Sequence, residues 1–383
     1  MIYLDNAATT GKKPLSVIKA VTSALENLSA NPGRGGHRLS MSASQAVYNA
    51  RKKAAEFFGA KSEENVIFTP GCTYSLNFAL KGVLSPGDRI ITSSVEHNSV
   101  MRPLESLKKI GVKVDVAEVI FSDMSATVRS FERLITDKTK AIVCTHASNV
   151  TGEILPIAQI GELCRQRGII FIVDAAQTAG IVPIDCNEMN IDFLCVAPHK
   201  GLYAPMGIGI LIANKPIFNT LIEGGSGVLS ALPTPPPDYP ERIESGTVNL
   251  PGIVGTAAGI DFVLSKGMAN IYRFELELIQ TAYKGLEKIN GIVFYTPYPE
   301  IFSFTPVLTF NIRNKPSSWV SDKLNNYSVA TRSGLHCAPS IHKRMGTMIN
   351  GTVRISTSAF NTKSEIYEFI KIINNISGQK QNF

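Results

Sequence analysis

Between residues 60 and 215 the chain alternates short apolar runs with stretches whose apolar residues recur at helical spacing. The runs are Val66–Thr69, Arg89–Ser93, Val112–Ala117, Ala141–Thr145, Ile169–Asp174, Phe193–Ala197 and Ile208–Ala213. Most are apolar at successive positions rather than at alternate ones, the pattern of strands covered by helices on both faces. Helical spacing is found at Tyr74–Leu84, Ser99–Lys109, Ile157–Arg167 and, after Pro251, Gly252–Leu264. Repeated strand–helix–strand units predict right-handed crossovers and a mostly parallel sheet. Ligands of such a sheet bind outside the carboxyl ends of its strands.

The remainder of the chain reads differently. Residues 12–28 have a helical pattern and are expected to pack with the C-terminal part. The segment Ala231-Leu-Pro-Thr-Pro-Pro-Pro-Asp-Tyr-Pro240 can be neither helix nor central strand, so it is expected as an extended surface segment, a lid or a subunit contact. A break near Ser265–Asn270 precedes an α+β pattern, with strands at Val307–Ile312, Val329–Arg332 and Thr352–Ser356 and helices at Trp319–Asn325 and Ser364–Ile373. The expected organisation is an N-terminal segment 1–30 packing with a small domain, a large α/β domain 31–265, and a small α+β domain 266–383.

Composition narrows the functional classes. The chain has 383 residues and a net charge of +7, with Lys and Arg scattered rather than clustered. A nucleic-acid surface would need a concentrated basic patch, so none is expected. No apolar run is long enough to span a membrane, and Met1 to Thr10 lacks the features of a secretion signal, which points to a cytoplasmic protein. Of the six cysteines, Cys144, Cys164, Cys186 and Cys195 stand in apolar or element-forming contexts and read as small buried hydrophobes. No Cys-x-x-Cys pair is present, and neither a disulfide framework nor a metal site is expected.

Chemistry gathers where the strands end. The run Phe193-Leu-Cys-Val-Ala-Pro-His199-Lys200 sends a lysine out of a buried strand into a Gly/Pro-rich turn. Burial lowers a lysine's pKa and favours the neutral amine that forms a Schiff base. Ile169–Asp174 ends on an acid. A Schiff-base lysine with an aspartate for a pyridinium nitrogen is the protein's half of pyridoxal 5'-phosphate (PLP) chemistry. Each residue alone is more often a surface lysine or a helix cap; together they point to the cofactor. Gly71-Cys72-Thr73 opens a helix after a strand, a turn suited to a phosphate. His97 could stack on a ring, and Asn149 and Gln177 could bond its hydroxyl.

These residues fall within an ordered set of motifs: Tyr3-Leu-Asp-Asn-Ala-Ala-Thr9, Asn31 to Ser40, Glu96-His97, His146 to Gly152, Asp174-Ala-Ala-Gln177, His199-Lys200, Glu244 to Asn249, Arg332 to Ala338 and Arg354 to Thr362. In these motifs the chain resembles the cysteine desulfurases and selenocysteine lyases of the class V aminotransferase group, PLP enzymes of fold type I. The resemblance runs nearly end to end. It implies a seven-stranded, mostly parallel sheet with a smaller α+β domain. It implies that Lys200 holds PLP and shuttles the α-proton, Asp174 keeps the ring nitrogen protonated, and His97 stacks on the ring and acts in acid–base steps. It further implies ring-hydroxyl contacts from Asn149 and Gln177, and phosphate contacts from Cys72, Thr73 and His199. Thr247 is implied to reach the phosphate of a partner subunit in a homodimer. Arg354 would bind the substrate carboxylate, with Arg332, His37 and Asn149 assisting.

Cys337 is implied to be the sulfur-accepting nucleophile. It lies in a loop bounded by Gly334 and Pro339, and nearby Arg332, His336 and Lys343 favour its thiolate. The implied reaction removes sulfur from L-cysteine, leaving alanine and a Cys337 persulfide for an acceptor protein. The alternatives are a selenocysteine lyase, a cysteine-sulfinate desulfinase, or a weakly catalytic scaffold in iron–sulfur assembly. Two positions depart from the family. Ala197 stands where a hydroxyl residue is usual, and Cys72 where threonine is usual. Two lost contacts of about 0.5–1.5 kcal/mol each correspond to roughly a five- to hundredfold weaker hold on PLP.

Overall fold

The computed structural model describes residues 1–33 and 35–378; Arg34, in one of the motifs, lies outside the described residues. A seven-stranded sheet forms the centre, in the spatial order Val66–Thr69, Gly209–Ala213, Phe193–Val196, Ile170–Asp174, Thr139–Thr145, Arg89–Ser93, Lys113–Ala117. Gly209–Ala213 pairs antiparallel with both its neighbours, and the other strands share one direction. Successive residues of each strand serve opposite faces. Ile91, Ile142, Phe171, Val173, Leu194 and Ile210 join one core; Ile90, Val143, Ile172, Phe193 and Leu211 join the other. Helices Arg38–Phe58, Ile157–Arg167 and Leu250–Lys266 close the first face, and Cys72–Val83 and Asn98–Lys108 the second. This double coverage is why the strands read as continuous apolar runs.

A second, four-stranded antiparallel sheet has the order Arg332–Gly334, Thr352–Ser356, Val307–Ile312, Ile292–Phe294. Helices Met268–Leu286, Ser317–Asn326 and Lys363–Ser377 bury Leu278, Leu324 and Phe369 against it. The stretch read as one strand, Val329–Arg332, is divided. Val329–Ala330 pairs parallel with Ile2–Tyr3, whereas Arg332 begins a strand of the four-stranded sheet.

The N-terminal segment is divided in a similar way. Ile2–Tyr3 and Asp5 lie against the C-terminal strands. Helix Leu15–Asn27, expected to pack there too, instead lies along Leu250–Lys266. Gly255 lets the two helices approach: a Cβ there would stand 2.9 Å from a Val21 methyl group. The apolar face of the helix is therefore used on the large sheet's side. Residues 231–240 form no helix or strand, as their prolines require. Among the described residues no helix is long and apolar enough to cross a membrane.

Candidate active site

Because six strands run together, their carboxyl ends meet along one sheet edge, facing the C-terminal sheet. A cavity of about 380 Å³ opens there, walled by Gly71, Cys72, Thr73, His97, Asn149, Asp174, Gln177, His199, Lys200, Arg332, Cys337 and Arg354.

One wall is a strand-to-helix turn. Strand Val66–Thr69 runs into helix Cys72–Val83, with Gly71 as the N-cap. Thr69 Oγ1 donates to the Gly71 carbonyl at 3.1 Å, and Ser75 Oγ to the Ile210 carbonyl at 3.1 Å. Gly209 crosses so close behind that a Cβ there would come within 2.4 Å of the Gly71 carbonyl carbon. The Tyr74 and Ser75 amides bond back to Gly71. The Cys72 and Thr73 amides have no backbone acceptor among the described residues, as first-turn N–H groups do not, and suit an anion.

His97 caps helix Asn98–Lys108, its Nδ1 accepting the Ser99 amide at 3.0 Å. Burial pushes its pKa down, so the ring is neutral and an accepting Nδ1 leaves the proton on Nε2. Behind it, Glu96 is fully buried and pushed up to about 8 by that burial. Its Oε1 accepts from Ser93 Oγ (2.5 Å) and the Thr145 amide (2.8 Å), tying two strand ends together as a neutral acid.

Asp174 ends its strand with Oδ1 accepting the Ala176 amide at 2.9 Å and the Cys72 thiol at 3.6 Å. Burial raises the Cys72 thiol well above the ordinary range, so it is a donor there rather than a thiolate. The second oxygen of Asp174 has no hydrogen bond among the described residues. Lys200 lies in a tight turn, its amide bonded to the Ala197 carbonyl at 3.1 Å. Burial lowers its pKa, the Asp174 charge opposing, and no hydrogen bond among the described residues ties down the amine. His199 is pushed down to about 4 by burial, with Lys200 and Lys13 adding to the effect, and its buried Nδ1 has no partner. The N-terminal segment holds this turn from outside: the His199 carbonyl accepts from the Thr10 amide (3.2 Å) and Lys13 Nζ (3.0 Å).

The opposite wall comes from the C-terminal sheet. Arg354 is 1% exposed; Nη2 bonds Asp5 Oδ1 at 2.8 Å and Nη1 the Asn149 carbonyl at 2.9 Å. Its buried Nε has no partner, leaving a guanidinium edge for another acceptor. Asn149 Nδ2 donates to the His336 carbonyl at 2.7 Å, and the Asn98 amide to the Cys337 carbonyl at 2.7 Å. These bonds hold a loop in which His336 (φ 50°) and Cys337 (φ 58°) are both left-handed, a conformation of order 1–3 kcal/mol above the usual one for each. Cys337 is the exposed cysteine, and Arg332 Nη2 donates to its sulfur at 3.7 Å.

One expectation about this loop is corrected. His336 is not a positive neighbour of Cys337: it is buried, stacked on His342 with ring centroids 5.6 Å apart, and its pKa falls to about 2. Cys144, Cys164, Cys186 and Cys195 are buried, and burial raises each thiol. Gln177 lines the cavity, its Nε2 on the Ala7 carbonyl at 3.1 Å. Two predicted residues stand apart from the cavity. Thr247 lies beside Asn31, whose Nδ2 is 3.5 Å from Thr247 Oγ1. His37 is exposed and caps helix Arg38–Phe58 through the Ser40 amide. Three contributors were not visible in the sequence: Asp5 as the Arg354 partner, the Asn149 grip on the Cys337 loop, and Ser99, whose Oγ lies between Thr73 Oγ1 (2.8 Å) and His97 Nδ1 (2.9 Å).

The doubly covered sheet thus brings Asp174 and Lys200 together from neighbouring strand ends. Residues 2–369 match the family model described as aminotransferase class-V, and the chain belongs to that family. Among its relatives is a protein of Pyrococcus abyssi named probable cysteine desulfurase, 34% identical over 385 residues, covering 97% of this chain and 93% of that protein. A cysteine desulfurase of Salmonella agona is 32% identical over 377 residues, covering 96% and 91%. The solved apo structure of a cysteine desulfurase from Thermococcus onnurineus matches with a TM-score of 0.89 at 32% identity, over 98% of this chain and 94% of that one. An Escherichia coli cysteine desulfurase in its S-sulfonic acid form gives 0.85 at 26% identity, over 97% and 94%.

Proposed function

We propose that the chain is a PLP-dependent cysteine desulfurase, converting L-cysteine to L-alanine and placing the sulfur on Cys337 as a persulfide. The observation that carries this is the convergence of Lys200, Asp174, Arg354 and an exposed Cys337 on one cavity. The relatives' names favour sulfur from cysteine over the selenium and sulfinate alternatives.

The residues present fit the cofactor. An untethered, pKa-lowered amine and an aspartate with an unengaged oxygen face the same space as a helix N-terminus with open amides and His199 with an unpartnered Nδ1. Lys200 would hold PLP covalently, Asp174 the ring nitrogen, and His97 a ring face. Gln177 and Asn149 would take the ring hydroxyl. Thr73, His199 and the Cys72 amide would hold the phosphate; the Cys72 side chain is turned to Asp174. When bound, PLP supplies the electron sink that weakens the bonds at the substrate's α and β carbons.

The protein's own steps follow from its geometry. Arg354 grips the substrate carboxylate through its Nε edge, which fixes the amino acid's direction in the cavity. Lys200 Nζ moves the proton at the α carbon. The Cys337 sulfur, beside Arg332, attacks the substrate sulfur: a sulfur–sulfur bond forms, the carbon–sulfur bond breaks, and the carbon fragment takes up a proton to become alanine. An exposed Cys337 can then hand its outer sulfur to an acceptor protein. Thr247, away from its own cavity, supports a homodimer in which it completes the partner's phosphate site. Sedimentation should read a dimer; a monomer with full activity removes Thr247 from the site.

The functional test is sulfide release from L-cysteine in the presence of a thiol reductant, with no release overturning the proposal. Arg354→Lys should retain PLP but raise the cysteine KM roughly ten- to a hundredfold, because a point charge replaces a two-pronged donor. Loss of PLP in that variant would mean that Arg354 serves the cofactor rather than the substrate.

A further inference from the structure

We propose that Ser99 is a donor to the cofactor phosphate, its hydroxyl joining Thr73 above the first turn of helix Cys72–Val83. The proposal rests on the PLP reading above and deepens it. Ser99 lies in the first turn of helix Asn98–Lys108 and lines the cavity with Gly71, Cys72, Thr73 and His199. It therefore approaches the phosphate turn from a different strand end.

Hydrogen-bond bookkeeping at His97 identifies the mobile proton. The Ser99 amide can only donate, so His97 Nδ1, 3.0 Å away, is an acceptor. Ser99 Oγ stands 2.9 Å from the same nitrogen, which has one lone pair for two donors. With the amide on Nδ1, the Ser99 hydroxyl proton can point to that nitrogen at 2.9 Å or to Thr73 Oγ1 at 2.8 Å. The backbone amide alone satisfies His97 and sets its tautomer. The Ser99 hydroxyl proton is surplus to that task. A phosphate is a stronger acceptor than a shared ring nitrogen, and both hydroxyls can rotate onto it at no loss to His97.

The rest of the wall gives this donor a purpose. Ala197 presents no hydroxyl, and the Cys72 thiol is held by Asp174 at 3.6 Å. Thr145 spends its hydroxyl on the Ala147 carbonyl at 2.9 Å. Among the described residues, Thr73 and Ser99 are the small hydroxyls left at the turn. Ser99 thus supplies from the neighbouring strand end what positions 72 and 197 lack.

The test compares PLP with pyridoxal, which has the ring and aldehyde but no phosphate, by titrating each into the cofactor-free protein. Ser99→Ala should bind PLP about tenfold more weakly, the loss of one charge-assisted donor, while pyridoxal binding is unchanged. Inorganic phosphate should compete less well with PLP in the variant, and Ser99→Thr should restore both. Unchanged PLP affinity in Ser99→Ala overturns the proposal. So does an equal loss for PLP and pyridoxal, which would place Ser99 behind His97 alone. Wild-type protein that takes up no PLP would instead overturn the cofactor reading itself, and the two failures are separable on the wild type.

Discussion

Cys337→Ala is expected to take up PLP with an unchanged spectrum and to release almost no sulfide or alanine from cysteine. The fall should be at least about a hundredfold, a floor well below the roughly millionfold loss on removing a serine-protease nucleophile. The structure offers no substitute sulfur. Cys72 is the other cysteine on the cavity wall, but its thiol is committed to Asp174 and burial keeps it protonated. The remaining four are buried away from the cavity. Alanine suits the test because it is as disfavoured as cysteine at a φ of 58°, so the loop keeps its shape. The bonds that hold that loop use backbone carbonyls of His336 and Cys337 and survive the substitution. In wild-type protein treated with cysteine and no reductant, mass spectrometry should find an added sulfur on the peptide containing Cys337. Full activity in Cys337→Ala, with the sulfur on another cysteine, would sink the mechanism.

The large sheet was legible because both its faces are covered. Continuous apolar runs mark such strands without reference to their partners, and Val66–Thr69, Arg89–Ser93, Val307–Ile312 and Thr352–Ser356 have the expected bounds. Helix Arg38–Phe58 was not singled out, although Ala43, Val47, Ala50, Ala54 and Phe58 recur along one buried face. Alanines give that stripe little hydrophobic contrast. The division at Thr331 was illegible for a different reason: whether Val329–Ala330 pairs with Ile2–Tyr3 is decided across almost the whole chain, and no local pattern records it. At the site, residue types at strand ends pointed to Lys200 and Asp174, and the family resemblance to Arg354, which lies inside strand Thr352–Ser356. Partners did not show. Asp5 on Arg354, Asn149 on the His336 carbonyl and Ser99 between Thr73 and His97 each join segments remote in sequence. His336 misled because a histidine in a Gly-rich loop reads as solvated, and burial against His342 makes it neutral instead.

The other large effect is expected at Lys200. Lys200→Ala should lose the visible absorbance of the covalently held cofactor and all measurable turnover, since in the proposed mechanism the same nitrogen both anchors PLP and moves the α-proton. The substitution leaves the fold little to lose: the turn is held by backbone bonds, from the Lys200 amide to Ala197 and from the Tyr203 amide to the Lys200 carbonyl at 2.9 Å. A pH profile separates the amine from a merely structural lysine. Burial lowers the Lys200 pKa, so its protonated, non-nucleophilic form gives way to the neutral amine at a lower pH than for an exposed lysine. Covalent uptake of PLP by cofactor-free protein should therefore quicken as pH rises and level off below the ordinary lysine value of 10.5. Lys200→Ala should show no such phase at any pH. An unchanged spectrum in that variant would mean that another group holds the cofactor, and the assignment of this cavity to PLP chemistry would fall with it.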